Sequence, residues 1–400
     1  MNNPYYILIA LSVLVIVSYV FNILSSKLRI PSVILLLATG IFLNYAAKEF
    51  DYEVPDFRIL LELLGITGLI FIVLEGTLDL KLEQKKLPVI RKSILSATLI
   101  LCATAGIICY IFMEFLSLPL RNAIVYAVPL GVISSAIAIP SVHKLLPEQK
   151  EFIVYESTFS DIIGIMVFNY VVLDNVLSGA AVLKFFTDLL IIMGVSFAST
   201  AFLLVVLNYT RSHVKFYLIF AVLILVYSLS KMFHLPSLLL ILIFGLMLNN
   251  AKLYIKGRLA RYLQIERLAV INRELKLITA ETAFIIRTFF FVLFGFSINL
   301  QLLNDSTVLL VGSLIILTIT VTRFVFLRFI SHANLFPGIF IAPRGLITIV
   351  LFYSIPAGLQ TSLFNEGILF FVIIVSSLLM MAGLLVTKTN YKETMNELNT

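Results

Sequence analysis

The chain has 400 residues, of which 60% are hydrophobic and only 13% charged, and it carries a formal net charge of +7. That balance excludes a soluble globular enzyme and points to a polytopic α-helical membrane protein. The faint apolar/polar alternation of an outer-membrane barrel is absent.

Apolar runs of about 20 residues predict thirteen spans. They lie near 5–24, 31–47, 59–78, 93–116, 122–142, 153–173, 185–208, 214–231, 236–250, 279–300, 306–327, 336–356 and 366–387. The first run is as long as a full span and no basic residue precedes it, so it reads as an uncleaved first helix rather than a signal peptide. With the N-terminus outside, all but seven of the 29 Lys and Arg residues fall in or beside cytoplasmic loops. Lys48, Arg58, Arg121, Lys184 and Lys231 fall outside, and Arg287 and Arg344 lie within spans. This is the positive-inside bias, and it predicts N-out, C-in; the expected location is a bacterial inner membrane. The basic charge therefore follows the lipid bilayer rather than a nucleic acid. The long basic loop near 251–278 reads as a topology anchor on the inner surface.

Two segments can be superposed. Pro31-Ser32, Gly40 and Leu43-Asn44 match Pro236-Ser237, Gly245 and Leu248-Asn249 at one constant offset. The next spans match more loosely, Phe71 and Gly76 beside Phe290 and Gly295. An odd number of spans separates the partners, so the second copy enters the membrane from the opposite side. The chain reads as one transmembrane domain over 1–400: repeat 1 near 5–173, a linker helix at 185–208, an inverted repeat 2 near 214–387, and a short cytoplasmic tail at 388–400. Inverted repeats are an architecture of secondary transporters, with the binding site at the midplane between them.

Spans 5 and 12 are repeat partners, and both carry proline within the span. Span 5 holds Ser134-Ser135 and Pro140, and span 12 holds Pro343-Arg344-Gly345. Proline frees a carbonyl, and free backbone at membrane depth is tolerated only inside protein or beside a wet cavity. Pro140, Pro343 and Gly345 therefore mark two broken helices at a transport site.

Asp161 lies about ten residues inside span 6, where an ionised group costs roughly 3 kcal/mol or more. Such residues commonly serve an ion or proton path. Ser157 is four residues away and shares its cavity. Glu156 points about 140° from Asp161 and needs its own partner; Arg344 is the candidate, as a structural ion pair. Arg287 has two readings. It snorkels beside Glu281, or it faces Asp161 and favours the ionised form as a charge modulator. Glu75, near the inner end of span 3, reads as interfacial. Cys102 and Cys109 lie two turns apart on one helix face and read as core. His143, at an inner helix end, reads as an ordinary loop histidine or a pH sensor. No nucleotide, protease or metal motif is present, so no enzyme activity and no cofactor are expected.

The run Glu156-Ser-Thr-Phe-Ser-Asp161-Ile-Ile-Gly164-Ile resembles the hallmark of the monovalent cation/proton antiporter superfamily, the sodium/proton exchangers. In the exchanger branch it reads Glu-Ser-x-Phe-Asn-Asp-Gly-x-Gly-Ile. The Ser134–Pro140 stretch is similar to the potassium-efflux branch, and Pro343-Arg344-Gly345 to the Leu-Arg-Gly of the exchangers. The resemblance covers about 5–388. It implies a thirteen-helix antiporter fold with crossed, unwound spans 5 and 12, a homodimer, and elevator-like motion of a core domain. It also implies Asp161 as the proton and cation carrier, helped by Ser157, with Glu156 and Arg344 as the ion pair.

Two positions depart from that pattern. Ile162 stands where the exchangers have Gly. Ser160 stands where electroneutral exchangers have Asn and electrogenic ones a second Asp; with a single free carboxylate, one proton exchanges for one cation. The expectation is electroneutral exchange of Na⁺ or K⁺ for H⁺ at a monovalent-cation site formed by Asp161, Ser157, Ser160 and Ser135. Two rivals stand beside it: a sodium-coupled symporter of an organic anion, using Arg287 and Arg344, and a non-transporting membrane scaffold.

Overall fold

The computed structural model describes residues 4–28, 31–49, 57–80, 84–142, 145–172, 179–209, 215–233, 235, 237–251, 265–330 and 336–386. His143, Pro236 and residues 252–264 of the basic loop after span 9 lie outside them, and the rest of that stretch, from residue 265, is helical. The described residues are helical, with no strand among them.

In chain order the helices are α1 (Pro4–Leu28), α2 (Ser32–Glu49), α3 (Arg58–Asp79), α4 (Leu87–Leu116), α5 (Leu120–Gly131), α6 (Ser135–Ser141) and α7 (Pro147–Val172). Then come α8 (Gly179–Tyr209), α9 (Lys215–Met232), α10 (Leu238–Asn249), α11 (Ile265–Ser297), α12 (Ser306–Val325), α13 (Leu346–Tyr353) and α14 (Glu366–Val386). With α5 and α6 as two halves of one span, the order reproduces the thirteen expected segments. Among the described residues, eight spans are long and apolar enough to cross a membrane. The helix of the Asp161 motif, α7, is not among them, because its charges interrupt the apolar run. The ends carry local signals: Pro147 opens α7, where a missing N–H costs nothing, and the Asp305 side chain caps α12 by accepting from Thr307 N at 2.8 Å.

The two repeats exchange partners. Helix α2 of the first packs on α11 of the second, and α10 of the second packs on α3 of the first. Both contacts are made by the matched glycines. A Cβ on Gly40 would strike the backbone of Val292, Gly295 and Phe296, and one on Gly245 would strike the Thr77 side chain. Only a residue without a side chain allows such approach. The matched asparagines finish the same job: Asn44 donates to Phe296 O, and Asn249 donates to Leu80 O at 2.9 Å. The sequence repeat is thus a repeat of packing, consistent with inverted halves.

Contacts fall into two groups. Helices α2, α3, α10 and α11 pack together, with α8 against α10 and α1 against α2. Helices α4, α5, α6 and α7 form the other, joined by α12 and α14. Helix α13 touches both, packing on α3 and α5.

Candidate functional site where two broken spans cross

Span 5 breaks at Val132-Ile133-Ser134, between α5 and α6. Pro140, expected at the break, instead lies inside α6. In span 12 the break is where expected: a short 3₁₀ turn at Gly338–Phe340 gives way to an extended stretch, 341–345, which holds Pro343 and Gly345 and precedes α13. The two breaks touch, Ser134 N donating to Pro343 O at 2.9 Å. Gly345 sits at the contact, where a Cβ would come within 2.9 Å of Ser134 Oγ. Glycine is needed here for close approach.

Helix α7 lies against this crossing and ties it down with consecutive residues. Ser160 Oγ accepts from Ile133 N at 2.9 Å, giving one freed amide of the break an acceptor. Asp161 Oδ2 accepts from Ser135 Oγ and from Ser135 N, the latter at 3.3 Å. Asp161 is 1% exposed, and its Oδ1 has no hydrogen-bond partner. Ser134 Oγ and Thr348 Oγ1 are likewise buried without partners. Unpartnered buried oxygens are atoms able to accept a proton or a hard monovalent cation. The described residues hold no His/Cys/Asp/Glu cluster suited to a transition or divalent metal.

Of the serines expected around Asp161, Ser135 meets the carboxylate and Ser157 does not. Ser157 turns its Oγ back to Ile153 O at 2.8 Å and Val154 O at 3.3 Å in its own helix. Ser135 provides the hydroxyl that meets the carboxylate.

The ion pair is also reassigned. Glu156 pairs with Arg323 of α12 rather than with Arg344. Arg323 Nη2 lies 2.8 Å from Oε2 and Nη1 lies 3.2 Å from Oε1, a two-pronged contact. Ser96 Oγ of α4 donates to Glu156 Oε1, and Arg323 Nε donates to Gly338 O at the start of broken span 12. Four segments meet in this network. Arg344, also fully buried, fixes backbone instead: its N–H donates to Ser376 Oγ at 3.0 Å, while its guanidinium reaches only Ala342 O at 3.5 Å. In the sequence Arg323 falls among the basic residues at the inner end of span 11. Arg328, five residues on, already marks the interface, so Arg323 lies more than a turn deeper; that spacing was the available signal.

Arg287 does not contact Asp161 or Glu281. Its Nη1 donates to Ala136 O at 3.3 Å, and its Nη2 lies 3.7 Å from Glu75 Oε2. Glu75 faces a cavity. With Ser135, Pro140, Glu281 and Arg287 it lines a cavity of about 600 Å³. This cavity lies where α1 and α3 end and α2 begins, and Ser135 stands between it and Asp161. On the opposite face a cavity of about 280 Å³, lined by Glu62, Tyr126, Tyr353 and Glu366, includes no residue of either break.

Residues 11–388 match the family model described as sodium/hydrogen exchanger, transmembrane. No curated protein matches the chain. The fold is that of the sodium proton antiporter MjNhaP1 from Methanocaldococcus jannaschii. Its structure at pH 8 superposes with a TM-score of 0.68 at 20% identity, covering 96% of this chain and 100% of that one. Its electron-microscopy structure gives 0.70 at 19% identity, covering 95% and 96%. By the match over nearly its whole length, this multi-pass membrane protein belongs to the sodium/hydrogen exchanger family.

Proposed function

We propose that the protein is a secondary active antiporter exchanging a monovalent cation, Na⁺ or K⁺, for a proton at Asp161. The observation that carries this reading is a single buried carboxylate at the crossing of two broken spans. One of its oxygens is held by Ser135, the other is unpartnered, and a wide cavity ends at Ser135. Glu156 is committed to Arg323 and Ser160 to Ile133 N, so Asp161 is the group left to change state. It holds either the proton or the dehydrated cation, with Ser135 and oxygens of the crossing as further ligands. An empty, charged site crosses the membrane interior only at a heavy desolvation cost, whereas an occupied one does not. Exchange is then obligatory.

In this reading the cavity faces the cytoplasm, since the positive-inside bias puts the ends of α1 and α3 there. The α4–α7, α12 and α14 group moves past the other in an elevator-like step, within a homodimer. The symporter reading loses its anion donors: Arg344 is fully buried and Arg287 is engaged by Ala136 O and Glu75.

The test is purified protein in liposomes carrying an internal pH dye, with a pH gradient imposed before Na⁺ or K⁺ is added. Cation-driven dequenching is expected for the wild type and not for Asp161→Asn. The asparagine keeps an acceptor for Ser135 and so keeps the fold. Full exchange by Asp161→Asn would overturn the assignment, and the absence of any cation response in the wild type would overturn the function.

A further inference from the structure

In a regular helix the carbonyl of Ala136 would accept from residue 140, but that residue is proline and has no N–H. The carbonyl opens instead onto the cavity, one residue from Ser135, and the Arg287 guanidinium takes the place of the missing donor at 3.3 Å. Glu75 holds the far side of the same guanidinium at 3.7 Å. Glu75 and Arg287 sit on α3 and α11, which pack on each other, while α6 packs chiefly on α7 in the other group. The contact therefore bridges the two helix groups at the broken span that carries Ser135.

The internal repeat shows that this bridge is one-sided. The match of Phe71 and Gly76 to Phe290 and Gly295 sets Glu75 opposite Phe294 and Arg287 opposite Gly68. Phe294 is in an aromatic stack with Phe290, and Gly68 faces the apolar side chains of Ile286 and Leu346. The opposite half has no charge at either position.

We propose that Glu75 and Arg287 form a latch that holds broken span 5 in the orientation where Asp161 is approached from the 600 Å³ cavity. The latch has no counterpart for the opposite orientation, so it biases the carrier toward the state seen here. The proposal rests on alternating access in the antiporter reading. A pair of this kind shifts the population of the two states, and apparent affinity on the favoured face follows the fraction of carrier facing it.

The experiment uses the full chain with Cys102→Ser, Cys109→Ser and Ala280→Cys, which places one thiol on the cavity wall. Labelling by a membrane-impermeant maleimide from the cavity side reads the population directly. Arg287→Gln is expected to label roughly three- to tenfold more slowly, with cation KM raised on the cavity face and lowered on the other. Glu75→Gln is expected to shift both in the same direction, and Arg287→Lys to restore them. If Arg287→Gln lowers only thermal stability, leaving labelling and the KM asymmetry unchanged, Arg287 is merely a carbonyl cap and the latch is wrong. If the parent exchanges no cation, the functional reading fails, while the labelling rates still judge the latch.

Discussion

The reassigned ion pair makes the sharpest energetic prediction. Arg323 and Glu156 have side chains 0% and 1% exposed, and they meet through two nitrogen–oxygen contacts. Arg323→Met would leave Glu156 a buried carboxylate with only the Ser96 hydroxyl as donor. Removing one member of a buried pair costs about 3–5 kcal/mol, because the other charge stays behind. Glu156→Gln with Arg323→Met removes both charges, so the double variant is expected to recover most of that loss. Arg344→Met is expected to cost less than about 1 kcal/mol, since a weakly partnered buried charge carries its own desolvation penalty. The assay is SDS-titrated unfolding of purified protein for the single and double variants. A coupling energy between Glu156 and Arg323 under about 1 kcal/mol, or an Arg344→Met loss equal to that of Arg323→Met, would refute the assignment.

Two further outcomes follow from the crossing. Gly345→Ala places a Cβ 2.9 Å from Ser134 Oγ and against Ile137; prying the two breaks apart is expected to cost about 1–3 kcal/mol and to slow exchange, read by the same unfolding titration and dye assay. Exchange of Na⁺ for H⁺ is expected to run at the same rate with and without an imposed membrane potential, and a rate that changes with voltage would require a second titrating group.

Much of this architecture is legible in the sequence because bilayer physics is strict. Span length and the glycine–asparagine repeat each answer to a single constraint, and both reappear, as helices and as matched packing contacts. Asp161 was legible for the same reason: charge at that depth is rare enough to stand out. What failed were assignments that depend on direction. Pro140 is expected at the break, but a helix loses only one hydrogen bond at a proline, and here Pro140 lies in the last turn of α6 with Arg287 donating to the freed Ala136 carbonyl. Of the two serines expected beside Asp161, Ser135 is there, but Ser157 turns away: a serine hydroxyl in a helix competes for its own backbone carbonyls, and that local bond won. Arg344 was given to Glu156 on depth alone. Arg323 lies on α12, which packs against α4, the helix that also brings Ser96 to Glu156; no spacing in the sequence reports that adjacency.

On the proposed mechanism, stoichiometry depends on how many carboxylates at the crossing change state. Glu156 is matched in charge by Arg323 and held by Ser96 in the four-segment network. Position 160 supplies a hydroxyl whose oxygen already serves Ile133 N, so it adds no charge of its own. Glu75 is held across the cavity by Arg287. At the crossing itself that leaves Asp161, which carries one proton or one monovalent cation, and the two loaded forms bear the same charge. Arg344 adds one positive charge to both and so drops out of the comparison. The membrane potential then does equal work on the outward and return steps, and exchange is driven by the two concentration gradients alone.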